Sequence, residues 1–236
     1  QCIERIGQPA LDLACGTGRL LLPLLEAGLD VDGCDGSADM LAYARERALA
    51  LGLEPRLFHQ VMHRLDLPRE YAVIFICDSF GIGASREDDV EALKRCYRSL
   101  APGGALVLSN DLLHPESDQW PPWLRGTFPE PWRPIEERRT AKNGDEIGLT
   151  SRTAAFDPLQ RRQTREIRAA LWRDGRLVAE EERAIEINLS FAHELVEVLE
   201  AAGFVDVEMR AGYSEQAATD DDGFVVFIAR KPAGAE

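Results

Sequence analysis

The feature that most constrains the fold is an alternation of short apolar runs with amphipathic stretches over residues 9–110. The apolar runs predict strands at 10–14, 31–34, 56–61, 71–77 and 105–108, and the stretches between them predict helices at 18–27, 37–51 and 87–100. The fourth run is continuously apolar, which is typical of a central parallel strand with both faces buried. Strands and helices in this order predict a doubly wound α/β fold, a mainly parallel sheet with helices on both faces.

The pattern changes after Asp111. Residues 114–134 are rich in proline and tryptophan, which predicts an irregular segment. Three alternating runs follow at 147–156, 165–172 and 177–188, and the Asp-Gly pair at 174–175 is a strong hairpin signal. They predict a small antiparallel sheet inserted into the parallel one.

The last part of the chain returns to the first pattern. Ser190 is predicted to cap a helix that extends to Ala202, and two strands at 204–209 and 224–229 follow it. We therefore assign 1–111 and 189–236 to one domain, and 112–188 to an inserted loop and antiparallel sheet.

A glycine loop follows the first predicted strand, with the sequence Asp-Leu-Ala-Cys-Gly-Thr-Gly at 12–18. Glycines there let the backbone approach a ligand closely, and the next helix offers its free N–H groups. A dinucleotide-binding loop would carry a third glycine where this chain has Leu21, and a phosphate loop would end in Gly-Lys-Ser/Thr, so a ligand without phosphate is favoured. Asp35 ends the second strand, where a carboxylate can accept hydrogen bonds from the ribose hydroxyls of an adenosine.

These segments resemble the motifs of the class I S-adenosylmethionine-dependent methyltransferases. Residues 12–18 resemble the first motif of that family, 35–41 the second, and 100–104 (Leu-Ala-Pro-Gly-Gly) its late turn. The resemblance covers most of the chain and implies a seven-stranded, mainly parallel, Rossmann-like sheet. The inserted sheet resembles that of small-molecule methyltransferases, including sugar and aminosugar N- or O-methyltransferases, in which it covers the acceptor pocket and can mediate dimer contacts.

The resemblance also implies S-adenosyl-L-methionine as cofactor and a set of residues that bind it. Asp12 would organise the methionine amino end, Asp35 would take the ribose hydroxyls, and Met40 would pack on the adenine. The implied cofactor-binding residues are Asp12, Ala14, Cys15, Gly16, Thr17, Gly18, Asp35, Gly36, Met40, Val61, Met62 and Cys77.

Val61 departs from the family pattern, which often has an acid there to bond the adenine amino group. A backbone group or Asp66 would then replace that acid, or Val61 is a plain strand residue.

The acceptor side is less well defined. Methyl transfer requires alignment and exclusion of water, and it needs a general base only when the nucleophile arrives protonated. Asp78, after the fourth strand, and His114, beyond the fifth, are the catalytic candidates, although His114 is equally compatible with a surface residue held by Pro115. The tryptophans of 114–134 could wall an apolar pocket or anchor the proline-rich segment.

The composition of the chain limits the kinds of partner that it is expected to bind. A net charge of −14 opposes nucleic acid as the main partner, because duplex binders cluster Lys and Arg against phosphates. No segment approaches the roughly 18 apolar residues of a membrane-spanning helix, so we expect no membrane partner. The five cysteines lack C-x-x-C spacing, which indicates reduced thiols in a cytoplasmic protein and no metal site.

The sequence therefore predicts an enzyme that transfers a methyl group to a nitrogen or oxygen of a small-molecule acceptor and that can form a homodimer through its inserted sheet. One alternative is a non-catalytic S-adenosylmethionine-binding protein. Another is an NAD(P)-dependent oxidoreductase, which Leu21 opposes.

Overall fold

A computed structural model describes residues 2–113, 127–141 and 143–234. The helices are α1 Cys2–Ile6, α2 Leu21–Glu26, α3 Ala38–Ala50, α4 Arg86–Ser99 and α5 Ala192–Ala201. The strands are β1 Ala10–Leu13, β2 Val31–Asp35, β3 Leu57–His59, β4 Tyr71–Ile76, β5 Leu100–Asp111, β6 Arg138–Thr140, β7 Glu146–Asp157, β8 Arg162–Arg173, β9 Arg176–Asn188, β10 Val205–Ala211 and β11 Phe224–Arg230. A 3₁₀ turn, Met62–Arg64, follows β3.

Two compact units are present. The first comprises Gln1–Phe80, Ser85–His114 and Ser190–Glu236, and the second comprises Gly81–Ala84 and Pro115–Leu189.

The first unit is built on a seven-stranded sheet with the order β10-β11-β5-β4-β1-β2-β3. The five strands from β5 to β3 pair in parallel, and β11 pairs antiparallel with both β5 and β10. The predicted fold class, a doubly wound and mainly parallel α/β sheet with a separate antiparallel sheet, is confirmed.

Alternate side chains of each central strand enter two different cores, as the two-residue period of a strand requires. Leu11 and Ile74 belong to the core beneath α4 and α5, whereas Ala10 and Val73 belong to the core beneath α1, α2 and α3. Because both faces of β4 are covered, its sequence is continuously apolar.

Helix starts follow local hydrogen bonding, and two of them differ from the prediction. The predicted cap Ser37 is confirmed, since its hydroxyl accepts a hydrogen bond from the Met40 N–H at 3.3 Å. The prediction that Ser190 caps α5 is wrong. The cap is Phe191, whose N–H donates to the Glu194 carboxylate at 3.0 Å, so an acid inside the helix supplies the acceptor.

The start of α2 also lies later than predicted. The helix begins at Leu21 rather than at Gly18, because Gly18 is in the left-handed conformation with φ of +79°. The two residues between them, Arg19 and Leu20, form turns that continue the glycine loop.

The second unit contains a four-stranded antiparallel sheet with the order β6-β7-β8-β9. The hairpin between β8 and β9 turns at Asp174 and Gly175, which both have positive φ, as the twist of a two-residue hairpin requires. The short strand β6 is absent from the prediction, because its three residues are all exposed and show no apolar alternation.

Within the described ranges, no helix combines the length and the apolar composition that crossing a membrane requires.

Candidate functional site

The glycine loop lies at the carboxyl end of β1, and three of its residues have left-handed backbone. Ala14, Gly16 and Gly18 have φ of 65°, 54° and 79°. A Cβ added to Gly18 would lie 2.9 Å from Cγ of Leu22, so this glycine is required by the close packing of α2. A Cβ added to Gly16 would meet nothing within 4 Å, so the loop leaves open space on that side. The arrangement offers backbone to a ligand at the edge where open α/β sheets bind their ligands.

Asp12 is a buried carboxylate beneath this loop. Asp12 is 3% exposed, and its Oδ2 has no hydrogen-bond partner among the described residues. Burial raises the pKa of Asp12 to about 7, and the backbone hydrogen bond from Leu21 and the charge of Arg19 oppose this shift. An unpartnered buried carboxylate oxygen is costly, so this position suits a cationic ligand that would supply the missing partner.

Asp35 joins the glycine loop to the start of α3. Its Oδ2 accepts a hydrogen bond from the Gly16 N–H at 2.8 Å, and its Oδ1 accepts one from the Ser37 N–H at 2.8 Å. Each oxygen of an ionised carboxylate has a second lone pair, so Asp35 can still accept two further hydrogen bonds. The structure therefore brings Asp35 and the loop together, as the motif spacing predicts.

Beyond Asp35, an exposed apolar surface is formed by Met40 on α3 and by Val61 before the 3₁₀ turn. The two residues are 47% and 39% exposed. A Cβ on Gly36 would lie 3.1 Å from Cγ1 of Val61, so the glycine allows the two segments to approach. Asp66, the proposed replacement for the missing acid, is exposed, and its backbone is held by the Gln60 side chain at 2.7 and 2.8 Å.

Asp78 lies just past the carboxyl end of β4, in the left-handed conformation with φ of 58°. Its Oδ1 accepts hydrogen bonds from the Ser109 hydroxyl at 2.7 Å and from the Tyr213 hydroxyl at 3.1 Å. Its backbone N–H donates to Ser109 Oγ at 2.9 Å, and its Oδ2 lies 3.6 Å from Nη2 of Arg19. A non-glycine residue in this conformation is strained unless its surroundings hold it, and such residues cluster at functional sites.

The cysteines near the site are thiols. Cys15, Cys34, Cys77 and Cys96 are free. Burial raises the pKa of Cys77 to about 11 and raises the pKa of Cys15 as well, so neither is a nucleophilic thiolate at neutral pH.

Several residues at this edge of the sheet have no motif that would single them out. Ser109 and Tyr213 complete the Asp78 cluster, and Arg47 of α3 donates from Nη1 to the Thr17 carbonyl at 2.8 Å, which fixes the glycine loop from outside. The contacts join residues 30 to 135 positions apart. Only the strand order could have suggested them, because β10 runs parallel to β4 and β5 and its end lies at the same edge.

Other predicted residues lie elsewhere. His114, Trp120 and Trp123 fall outside the described residues. Trp132 belongs to the second unit, where its ring lies 4.5 Å from the guanidinium of Arg152 and 4.1 Å from that of Arg168. The described neighbours of this indole are therefore two guanidinium groups in cation–π contact, and not an apolar pocket.

A family model described as "Methyltransferase domain" matches residues 10–104. A demethylmenaquinone methyltransferase of Thermus thermophilus is 38% identical over 128 residues, which are 53% of this chain and 53% of that protein. The chain thus matches about half the length of that curated relative.

Solved structures resemble the chain over a larger part of its length. An S-adenosylmethionine-dependent methyltransferase from Clostridium acetobutylicum superposes with a TM-score of 0.73 at 18% identity, covering 94% of this chain and 83% of that one. The sugar N-methyltransferase KedS8 from a Streptoalloteichus species gives a TM-score of 0.69 at 20% identity, covering 98% and 83%. At these identities the likeness establishes the fold.

Proposed function

We propose that this chain is an S-adenosylmethionine-dependent methyltransferase and that it transfers the cofactor's methyl group to a nitrogen or oxygen of a small-molecule acceptor. The match of residues 10–104 to a methyltransferase domain and the similarity to a demethylmenaquinone methyltransferase support the proposed family and enzyme class. The cofactor is part of the same proposal. The acceptor and the atom that receives the methyl group belong to the proposal.

The observation that carries the proposal is the buried Asp12 carboxylate beside the glycine loop, whose Oδ2 has no hydrogen-bond partner among the described residues. S-adenosylmethionine carries an α-ammonium group, a ribose diol and a sulfonium, and no phosphate. In this proposal Asp12 holds the ammonium group, directly or through water, and Asp35 accepts the ribose hydroxyls with its two remaining lone pairs. The two carboxylates therefore fit the ammonium and ribose groups of S-adenosylmethionine.

The other predicted residues are proposed to contact the rest of the cofactor. Met40 and Val61 offer exposed apolar surface to the adenine, and the loop backbone from Ala14 to Gly18 approaches the methionine and the ribose. The proposed cofactor-binding set is unchanged: Asp12, Ala14, Cys15, Gly16, Thr17, Gly18, Asp35, Gly36, Met40, Val61, Met62 and Cys77.

A small molecule is the favoured acceptor for two reasons. The net charge of −14 opposes a polyanionic substrate. The proteins that share the fold over most of the chain include a sugar N-methyltransferase, and that activity is named only for that protein. Asp78 and His114 are proposed to act on the acceptor side, while the acceptor-covering role of residues 112–188 and the homodimer stay predictions.

The proposal is tested by incubating the chain with methyl-labelled S-adenosylmethionine and a panel of small amines and alcohols. Formation of S-adenosylhomocysteine together with a labelled acceptor supports it. Asp35→Ala should lower turnover at cofactor concentrations near the wild-type dissociation constant, because its cofactor binding is weakened. Asp39→Ala removes an exposed carboxylate of α3 and is the matched control. Cofactor binding without turnover on any acceptor would support the non-catalytic alternative, and binding of NADH alone would support an oxidoreductase.

A further inference from the structure

Three chain segments converge on Asp78 at the carboxyl edge of the seven-stranded sheet. Asp78 follows β4, Ser109 lies near the end of β5, and Tyr213 lies just past the end of β10. All belong to the first unit. The Tyr213 hydroxyl is 3.1 Å from both Asp78 Oδ1 and Ser109 Oγ, and the Ser109 hydroxyl is 2.7 Å from Asp78 Oδ1. Three polar side chains from the ends of three strands thus share one hydrogen-bonded cluster.

The cluster fixes one oxygen of the Asp78 carboxylate and leaves the other accessible. Oδ1 takes both hydroxyl hydrogen bonds. Within the described part of the chain, Oδ2 pairs only with the guanidinium of Arg19, at 3.6 Å, and the side chains of Asp78 and Arg19 are 48% and 70% exposed. An exposed pair at this distance contributes little, so Oδ2 remains available to a donor from a ligand.

Tyr213 acts in this cluster as a donor. Burial of its hydroxyl raises the pKa of Tyr213 to about 12, with Cys77 and Asp78 adding to the shift, so the phenol keeps its proton at neutral pH. Although Tyr213 as a whole is 65% exposed, its hydroxyl makes two hydrogen bonds and its ring packs edge-on against Phe224, with the ring centroids 5.4 Å apart. Ser109 is 1% exposed and cannot turn toward solvent.

We infer that Tyr213 is a positioning residue of the acceptor site, which with Ser109 holds the Asp78 carboxylate so that Oδ2 receives the N–H of an amine acceptor. The inference rests on the proposed function and narrows it from nitrogen or oxygen to nitrogen. A fixed, accessible carboxylate oxygen selects a hydrogen-bond donor and repels an acidic acceptor.

The chemistry of methyl transfer also favours an amine acceptor, for a second reason. A carboxylate is far too weak a base to take the proton of an alcohol, whereas a neutral amine attacks through its own lone pair. The nitrogen forms a bond to the methyl carbon, the carbon–sulfur bond breaks, and its electron pair stays on sulfur, which becomes the thioether of S-adenosylhomocysteine. The positive charge moves to the acceptor nitrogen, where Asp78 stabilises it until a proton leaves to water.

The test measures binding of matched probes that differ only in an amine or a hydroxyl. Glucosamine and glucose, benzylamine and benzyl alcohol, and cyclohexylamine and cyclohexanol are titrated into the whole chain saturated with S-adenosylhomocysteine. At least one amine should bind, and its alcohol should bind at least about tenfold more weakly. Tyr213→Phe, which removes one donor to a charged group, should weaken amine binding about tenfold. It should leave alcohol binding and S-adenosylhomocysteine affinity unchanged.

Tyr97→Phe is the matched control. The Tyr97 ring packs on Phe204 at 5.3 Å and lies 5.1 Å from the ammonium of Lys231, and both contacts survive loss of the hydroxyl. Equal loss of amine and alcohol binding in Tyr213→Phe would show a merely structural role and overturn the inference. So would a panel in which no amine binds better than its alcohol. Failure of the wild type to bind S-adenosylhomocysteine would instead contradict the proposed function.

Discussion

Replacement of Asp12 by Asn should stabilise the ligand-free protein at pH 8 while weakening its affinity for the cofactor. Burial raises the pKa of Asp12 from 3.8 to about 7. The folded protein therefore holds this proton more tightly than the unfolded chain does. Ionised Asp12 destabilises the fold increasingly as the pH rises from about 4 to about 7, and by a constant amount above that.

The magnitude follows from the two pKa values. A shift of this size corresponds to about 4 kcal/mol of destabilisation at pH 8, which falls to under about 2 kcal/mol at pH 5. Asn keeps the shape and carries no charge, so Asp12→Asn removes this pH-dependent part. Relative to wild type, the variant should therefore gain about 2–3 kcal/mol more in free energy of unfolding at pH 8 than at pH 5.

Urea denaturation of the ligand-free wild type and variant at both pH values measures this difference. The comparison between proteins cancels the titration of the other carboxylates, which the two share. The same two proteins are then titrated with S-adenosylhomocysteine. An equal stability difference at pH 5 and pH 8 would refute the burial of the Asp12 carboxylate and its raised pKa. Unchanged affinity in Asp12→Asn would refute its role toward the ammonium group.

Three further substitutions test the ribose contact, the general base and the packing of the glycine loop separately. Asp35→Ala should weaken S-adenosylhomocysteine binding by about 1.5–3 kcal/mol, because hydrogen bonds to a charged group are lost; unchanged calorimetric affinity in the folded variant would remove the ribose assignment. His114→Ala should lower turnover with little change in cofactor affinity, and full activity would exclude it as the general base. Gly18→Ala should lower the free energy of unfolding by about 1–3 kcal/mol more than Gly28→Ala. Both glycines have φ near 80°, but only Gly18 would place a Cβ against Leu22, so equal thermal shifts would contradict the packing argument.

The sheet and the cofactor side were predictable because their signals are local. A continuously apolar run identifies β4, and the spacing of Asp12, Gly16 and Asp35 places three groups at the ends of two adjacent parallel strands. The burial of Asp12 and its raised pKa were not visible, since they depend on helix α2 covering a strand residue from above.

The acceptor side was only partly predictable because its contacts are distant in the sequence. Asp78 could be named from its place after the most apolar strand. Tyr213 lies 135 residues further along, in a turn without apolar period, and only the antiparallel return of β11 brings it to the same edge. The predictions for the cap of α5 and for the start of α2 were also wrong. At α5, the Glu194 carboxylate supplies the acceptor that a capping serine would otherwise supply. At α2, the left-handed conformation of Gly18 delays the start of the helix.

The most direct test of the central claim is a calorimetric titration of the whole chain with S-adenosylmethionine and S-adenosylhomocysteine at pH 8 and pH 6, with NADH as control. The account predicts that both adenosyl ligands bind and NADH does not. It also predicts about tenfold weaker binding at pH 6, because the carboxylate of Asp12 is then about one-tenth ionised. Binding of NADH, or no binding of either adenosyl ligand at pH 8, would contradict the account.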